Sequence, residues 1–203
     1  GPVTRAGTLR GLDRLAKDLV RNRDRAAHVI DLSTEMAVHS TRALLEAGAD
    51  FVFLAAATDG PAAISPKDYL EFSIPGLQRI VDEARAHSAP VVFHPHGRFT
   101  DPRFQALVEA AIECGIDGFQ FGEGCDLAVA RELWGHHVCI LGGPDVAEVL
   151  VAGPVERVRE QTRRCLDEAM GDGGFVIMAS CSVHRGVPPE HLDAMAQTVL
   201  ECG

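Results

Sequence analysis

No apolar run in this 203-residue chain reaches the ~20 residues that a membrane-spanning helix needs. A spanning helix is therefore not expected. Basic charge is also scarce: the net charge is −10, which argues against a nucleic-acid surface. Aromatics do not interleave with basic patches, so a single-strand stacking platform is not expected. Lysine occurs only at 17 and 67, a bias in favour of arginine that carries no mechanism. There is no Gly-rich phosphate loop and no Gly-x-Ser-x-Gly turn. No CxxC pair occurs among the six cysteines, Cys114, Cys125, Cys139, Cys165, Cys181 and Cys202. A chain this large has no need of a disulfide scaffold, so the thiols read as reduced and the location as cytoplasmic. The opening Gly1-Pro2-Val3-Thr4-Arg5 is not a signal peptide and has no Met, as in a processed, tagged or cut chain.

What the chain does have is core: 46% of residues are hydrophobic. Leu9, Leu12, Leu15, Leu19 and Val20 share one helical face, which predicts a helix from Thr8 to Asn22. Asp24 reads as the cap of a second helix from Arg25 to Ala47, ended by Gly48. Five short, near-continuously apolar runs read as buried strands: 51–57, 91–94, 118–121, 138–141 and 175–179. Helices are expected between them, at 65–87 with a kink at Pro75, 101–114, 125–134 and 154–170, and after them at 189–201. Val146–Val151 reads as a short helical turn. Strand–helix alternation predicts an α/β fold with a parallel sheet and right-handed crossovers. Without a Gly-rich turn after the first strand, a TIM-type (β/α) barrel is favoured over a nucleotide-binding sheet. Five units do not close eight strands, so the expectation is a partial barrel lacking N-terminal strands, as a single barrel-like domain over 1–203.

Two strand ends carry the chemistry. Val91-Val92-Phe93 stops at His94-Pro95-His96-Gly97, and Gly174–Met178 stops at Ala179-Ser180-Cys181. Strand residues two apart point to one face, so His94 and His96 can share an ion. C-terminal strand ends of a parallel sheet meet at one rim, which adds Cys181. Two imidazoles and a thiolate make a three-ligand zinc set with a position open for chemistry. Glu123, between Gly122 and Gly124, is a candidate fourth ligand, with Cys125 its competitor. Asp59, after the first strand, reads either as a catalytic group orienting a ligand imidazole or substrate, or as a turn cap. His184 reads as a proton shuttle or anion contact, or as an ordinary loop histidine. Asp145 reads as a rim residue or a cap, and His136-His137 as surface.

Several longer segments resemble the uroporphyrinogen decarboxylase superfamily. They are Ile64-Ser65-Pro66-Lys67-Asp68-Tyr69-Leu70-Glu71-Phe72 with Pro75, Leu141-Gly142-Gly143-Pro144-Asp145 through Gly153-Pro154-Val155-Glu156-Arg157-Val158, and Gly174 through Cys181 followed by Val187–Met195. Gly1-Pro2-Val3-Thr4 is similar to a Gly-Pro-Phe-Thr segment found there after an early strand. The resemblance implies a distorted (β/α)8 barrel and one of two activities, porphyrinogen decarboxylation or zinc-dependent demethylation of corrinoid proteins. The methyltransferase branch carries His-x-Cys-Gly after a middle strand and a Cys after the last. Here His96 stands in place of the first Cys and Cys181 matches the second. The resemblance thus implies zinc as cofactor, a thiol-type substrate, a corrinoid protein as partner, and a chain shorter at its N-terminus than family members. The alternatives are a metal-free decarboxylase and a non-catalytic subunit of a larger complex. Open sheet edges predict an oligomer.

Overall fold

The computed structural model describes residues 1–202. Helices α1 (Pro2–Arg10), α2 (Leu12–Arg21) and α3 (Arg23–Glu46) come first. Then β1 (Val52–Ala56), α4 (Pro66–Asp68), α5 (Ile74–Ala86), β2 (Val91–Pro95), α6 (Gln105–Glu113), β3 (Gly118–Gln120), α7 (Leu127–Trp134), β4 (Cys139–Gly142), α8 (Val155–Ala169), β5 (Phe175–Ile177) and α9 (Pro189–Cys202) follow. Sheet order follows chain order, β1 to β5, and the described pairings are parallel. Parallel strands in sequence, joined through helices, are the repeats of a TIM-type α/β fold. Among the described residues no strand precedes β1, and no helix is long and apolar enough to cross a membrane.

The chain divides into two compact units, Gly1–Phe119 and the remainder from Gln120. In the first, Val3, Ala6, Leu15, Leu19, Ala26, Ile30 and Phe72 form one core cluster. A second apolar layer joins Phe93, Phe99 and Phe119 edge to face, with ring centroids 5.9 and 5.1 Å apart. β1 and β2 pair in register from Val52↔Val91 to Ala56↔Pro95. Along β1, Val52, Leu54 and Ala56 are buried while Phe53 and Ala55, and the flanking Phe51 and Ala57, are exposed. In the second unit, Val146, Val149, Leu150, Val158, Ala179, Val187 and Ala194 form the core, and Phe121 stacks on Trp134.

The structure differs from the sequence reading at the helix ends. The expected Thr8–Asn22 helix is two helices, broken at Gly11 with φ +86°. The break re-aims the apolar face: Leu15 and Leu19 are buried, while Leu12 and Val20 are exposed. Asn22, not Asp24, caps α3, its side chain accepting from the Arg25 N–H. Ser65, at the expected start of the next helix, caps it, but that helix is interrupted by a π-helical turn at Tyr69–Ser73. Pro75, the expected kink, has no N–H to give and follows directly after this wide turn. The Val146–Val151 turn is also π-helical, capped by Asp145, whose carboxylate accepts from the Glu148 N–H at 2.7 Å. Cys125 lies outside α7, whose cap is Asp126. α6 starts at Gln105 rather than Asp101.

Candidate metal and thiol site

β2 presents His94 near its end, and His96 follows just past it. The strand's two-residue period puts both rings on one face. Their Nε2 atoms lie 3.2 Å apart, with ring centroids at 4.9 Å and planes 70° apart. Two imidazoles bound about 2.0 Å from one tetrahedral zinc would hold their nitrogens about 3.3 Å apart. The pair therefore fits a shared ion. His94 is buried and His96 half-buried, so a ligand could reach the pair from one side. The Phe53 ring of β1 lies 5.7 Å from the His94 ring and forms an apolar wall.

Glycines hold the turn after β2. A Cβ on Gly60 would come within 2.3 Å of the His96 carbonyl oxygen, and one on Gly97, at φ +152°, within 2.5 Å of Pro61. The Ala62 N–H donates to the His96 carbonyl. The loop after β1 thus packs against the backbone of His96, and only small residues permit the approach.

Asp59 is fully buried in that loop. One carboxylate oxygen accepts from the Val3 N–H at 2.9 Å and the Ser73 hydroxyl at 3.0 Å; the other accepts from the Thr4 N–H at 2.8 Å and the Thr4 hydroxyl at 2.7 Å. It neutralises free N–H groups at the start of α1 from 55 residues away, a long-range helix cap. The bonds go to α1 and to Ser73 rather than to the turn in which Asp59 itself sits.

In the second unit, Cys181 is half-buried on the segment that follows β5. Glu123 is on the exposed turn after β3, and its carboxylate accepts from the Ser180 hydroxyl at 3.1 Å. With Cys125, Asp145, Arg164, Cys165 and Ser180 it lines a polar cavity of about 300 Å³. His184 is exposed, and its Nδ1 accepts from the Gly186 N–H at 3.0 Å, so a neutral ring carries its proton on Nε2. His136 and His137 are exposed before β4, as surface residues.

The other thiols differ from a ligand in character. Burial pushes Cys114 and Cys165 up to about 11, with Asp82 and Glu113 adding to the first and Glu168 to the second. Burial also raises Cys139. These thiols stay protonated near neutral pH and are poor nucleophiles and poor ligands.

Sequence reasoning missed Gln120, a buried amide in an otherwise apolar strand. Its Nε2 donates to the carbonyls of Ala179 at 3.0 Å and Ser180 at 3.2 Å. The signal was present, since a polar residue between Phe119 and Phe121 demands a partner.

Among curated proteins, the chain is 28% identical over 200 residues to the methylated-thiol–coenzyme M methyltransferase of Methanosarcina mazei, covering 98% of this chain and 51% of that one. It is 25% identical over 197 residues to the methylcobamide:CoM methyltransferase MtaA of Methanosarcina barkeri, covering 96% and 54%. The chain thus spans about half the length of these relatives. Among solved structures, a methyltransferase from Methanosarcina mazei matches with a TM-score of 0.86 at 22% identity, over 100% of this chain and 57% of that one, a likeness of fold. Residues 1–202 match the uroporphyrinogen decarboxylase (URO-D) family, and the chain belongs to that family.

Proposed function

We propose that this chain carries the zinc and thiol site of a methyltransferase that moves a methyl group from a corrinoid-type donor to a thiol. His94, His96 and Cys181 are the proposed zinc ligands, with Glu123 proposed as a fourth that substrate would displace. The observation that carries the reading is the 3.2 Å spacing of the two imidazole nitrogens at the end of β2. The names of the two Methanosarcina relatives, a methylated-thiol and a methylcobamide methyltransferase, support the reaction class.

Zinc held there would supply the Lewis acidity that keeps a bound thiol deprotonated near neutral pH. The chain's own groups do the rest. His94, itself buried and with the Phe53 ring beside it, gives the site an apolar side. His96 in place of a thiolate leaves the site less negative, which lowers the bound thiol's pKa further. The substrate sulfur loses its proton on binding, and in the transfer the thiolate forms the S–CH3 bond. The methyl–cobalt bond breaks, and its electron pair stays with the corrinoid. His184, on an exposed turn, is proposed to carry the released proton outward.

Elemental analysis of the purified protein tests the reading. About one zinc per chain is expected. A metal-free protein that decarboxylates a tetrapyrrole-type substrate would instead establish the second activity that the family name carries.

The exposed apolar stripe Phe51, Phe53, Ala55 and Ala57, on and immediately flanking β1, supports a further part of the proposal, that the protein is an oligomer. Exposed apolar residues on alternate positions of a strand are normally covered. Sedimentation should find an assembly whose interface buries more than ~1,000 Å². A monomer that persists at high concentration would contradict it.

A further inference from the structure

We infer that Gln120 and Ser180 are positioning residues that fix the Cys181 segment and the Glu123 carboxylate for the metal. The inference rests on the zinc reading above and extends it to residues that do not touch the ion.

β5 is only three residues long, and the segment after it, 178–182, has no helix or strand of its own. It is nonetheless tied to three other parts of the second unit. The Met178 N–H donates to the Gly142 carbonyl, and the Ser180 N–H to the Pro144 carbonyl, both at 3.0 Å. Gly143 allows the contact, since a Cβ there would lie 2.1 Å from the Met178 oxygen. From β3, one amide group of Gln120 binds the two successive carbonyls of Ala179 and Ser180. The Ser180 hydroxyl accepts from the Val146 N–H at 3.1 Å and donates its single hydrogen to Glu123. All but the Met178 bond fall on the two residues immediately before Cys181.

The chemistry of the two side chains is directional. Both partners of the Gln120 nitrogen are carbonyl oxygens, so the amide cannot be turned over. That leaves Oε1 buried with no partner among the described residues, which a leucine would avoid. Gln120 is thus a poor choice for stability alone and a good one for holding two adjacent carbonyls at a fixed distance. The Ser180 hydroxyl, with its acceptor site filled by Val146, can only donate to Glu123. It therefore holds the carboxylate in one orientation. This is the outer-shell arrangement that orients ligands at a metal site.

The experiment uses the full chain with zinc alone and with cobalt(II) alone. Zinc affinity is measured by chelator competition, thiolate ligation by the cobalt–thiolate charge-transfer absorption, and folding by thermal melting. Gln120→Met and Ser180→Ala are each expected to bind zinc about 10–100-fold more weakly and to weaken the charge-transfer band. Ser180→Thr, which keeps the hydroxyl, should restore both. Gln120→Met keeps the buried volume and so tests the idea even if Ser180→Ala unfolds. Folded variants with unchanged affinity and spectrum would overturn the inference. Cys181→Ala separates the two levels. If it lowers zinc affinity while the Gln120 and Ser180 variants do not, the zinc reading stands and this inference falls. If it leaves zinc affinity unchanged, the zinc reading itself falls.

Discussion

Replacing His96 with alanine is expected to strip the protein of zinc and of methyl transfer together. The His94 and His96 nitrogens are 3.2 Å apart, which suits two ligands of one ion. Losing one leaves a single imidazole on β2, and a single imidazole is a weak zinc ligand. Affinity should fall by well over ~100-fold, since losing even an outer-shell partner costs about 10–100-fold. Cys181→Ala should do the same. Cys165→Ala should not, because its buried thiol, pushed up to about 11, stays protonated. Zinc content of the dialysed proteins checks all three. Retention of stoichiometric zinc by His96→Ala would rule out the pair as ligands.

The second large effect concerns stability rather than metal. Asp59→Ala removes a buried carboxylate that accepts four hydrogen bonds, two of them from backbone N–H groups at the start of α1. The orphaned donors are in or near the core formed by Val3, Ala6, Leu15 and Leu19. Each bond to a charged acceptor contributes about 1.5–3 kcal/mol, and leaving buried donors unmet adds to the loss. A drop of about 3–5 kcal/mol is expected, which lowers the melting temperature by ~6–20 °C in a chain of this size. Asp59→Asn keeps the shape and one acceptor, so it should lose less. The same variants separate a catalytic role for this residue from a structural one. A stable, folded Asp59→Ala protein without activity would identify a catalytic group; an unstable one identifies the helix cap.

The parts legible in the sequence were those set by local pattern. Val91–Phe93 stops sharply at His94, and such an apolar run with a polar end is a buried strand reaching a rim. The β2 range and the imidazole pair followed from that alone. Parallel topology followed from strand–helix alternation. Features set by distant contacts were not legible. Asp59 meets Val3 and Thr4 across 55 residues, so its local sequence, Thr58-Asp59-Gly60, looks like an ordinary turn. Gly11 breaks a helix whose apolar spacing continues past it, because spacing does not report φ. Asn22 and Asp24 are both good caps, and only the actual bond to Arg25 decides between them. Gln120 sat inside a run read as strand, where an amide's partners lie 59 and 60 residues away.

The central claim is that metal held by this chain activates a thiol, and proton release tests it most directly. A simple thiol such as 2-mercaptoethanol is added near pH 7 to the zinc-loaded protein in weak buffer, and to the metal-free protein alongside. A free thiol is mostly protonated at that pH, and a metal-bound one is not. Release of roughly one proton per chain is expected from the zinc form and none from the metal-free form. A zinc-loaded protein that takes up thiol without releasing a proton, or takes up none, would contradict it.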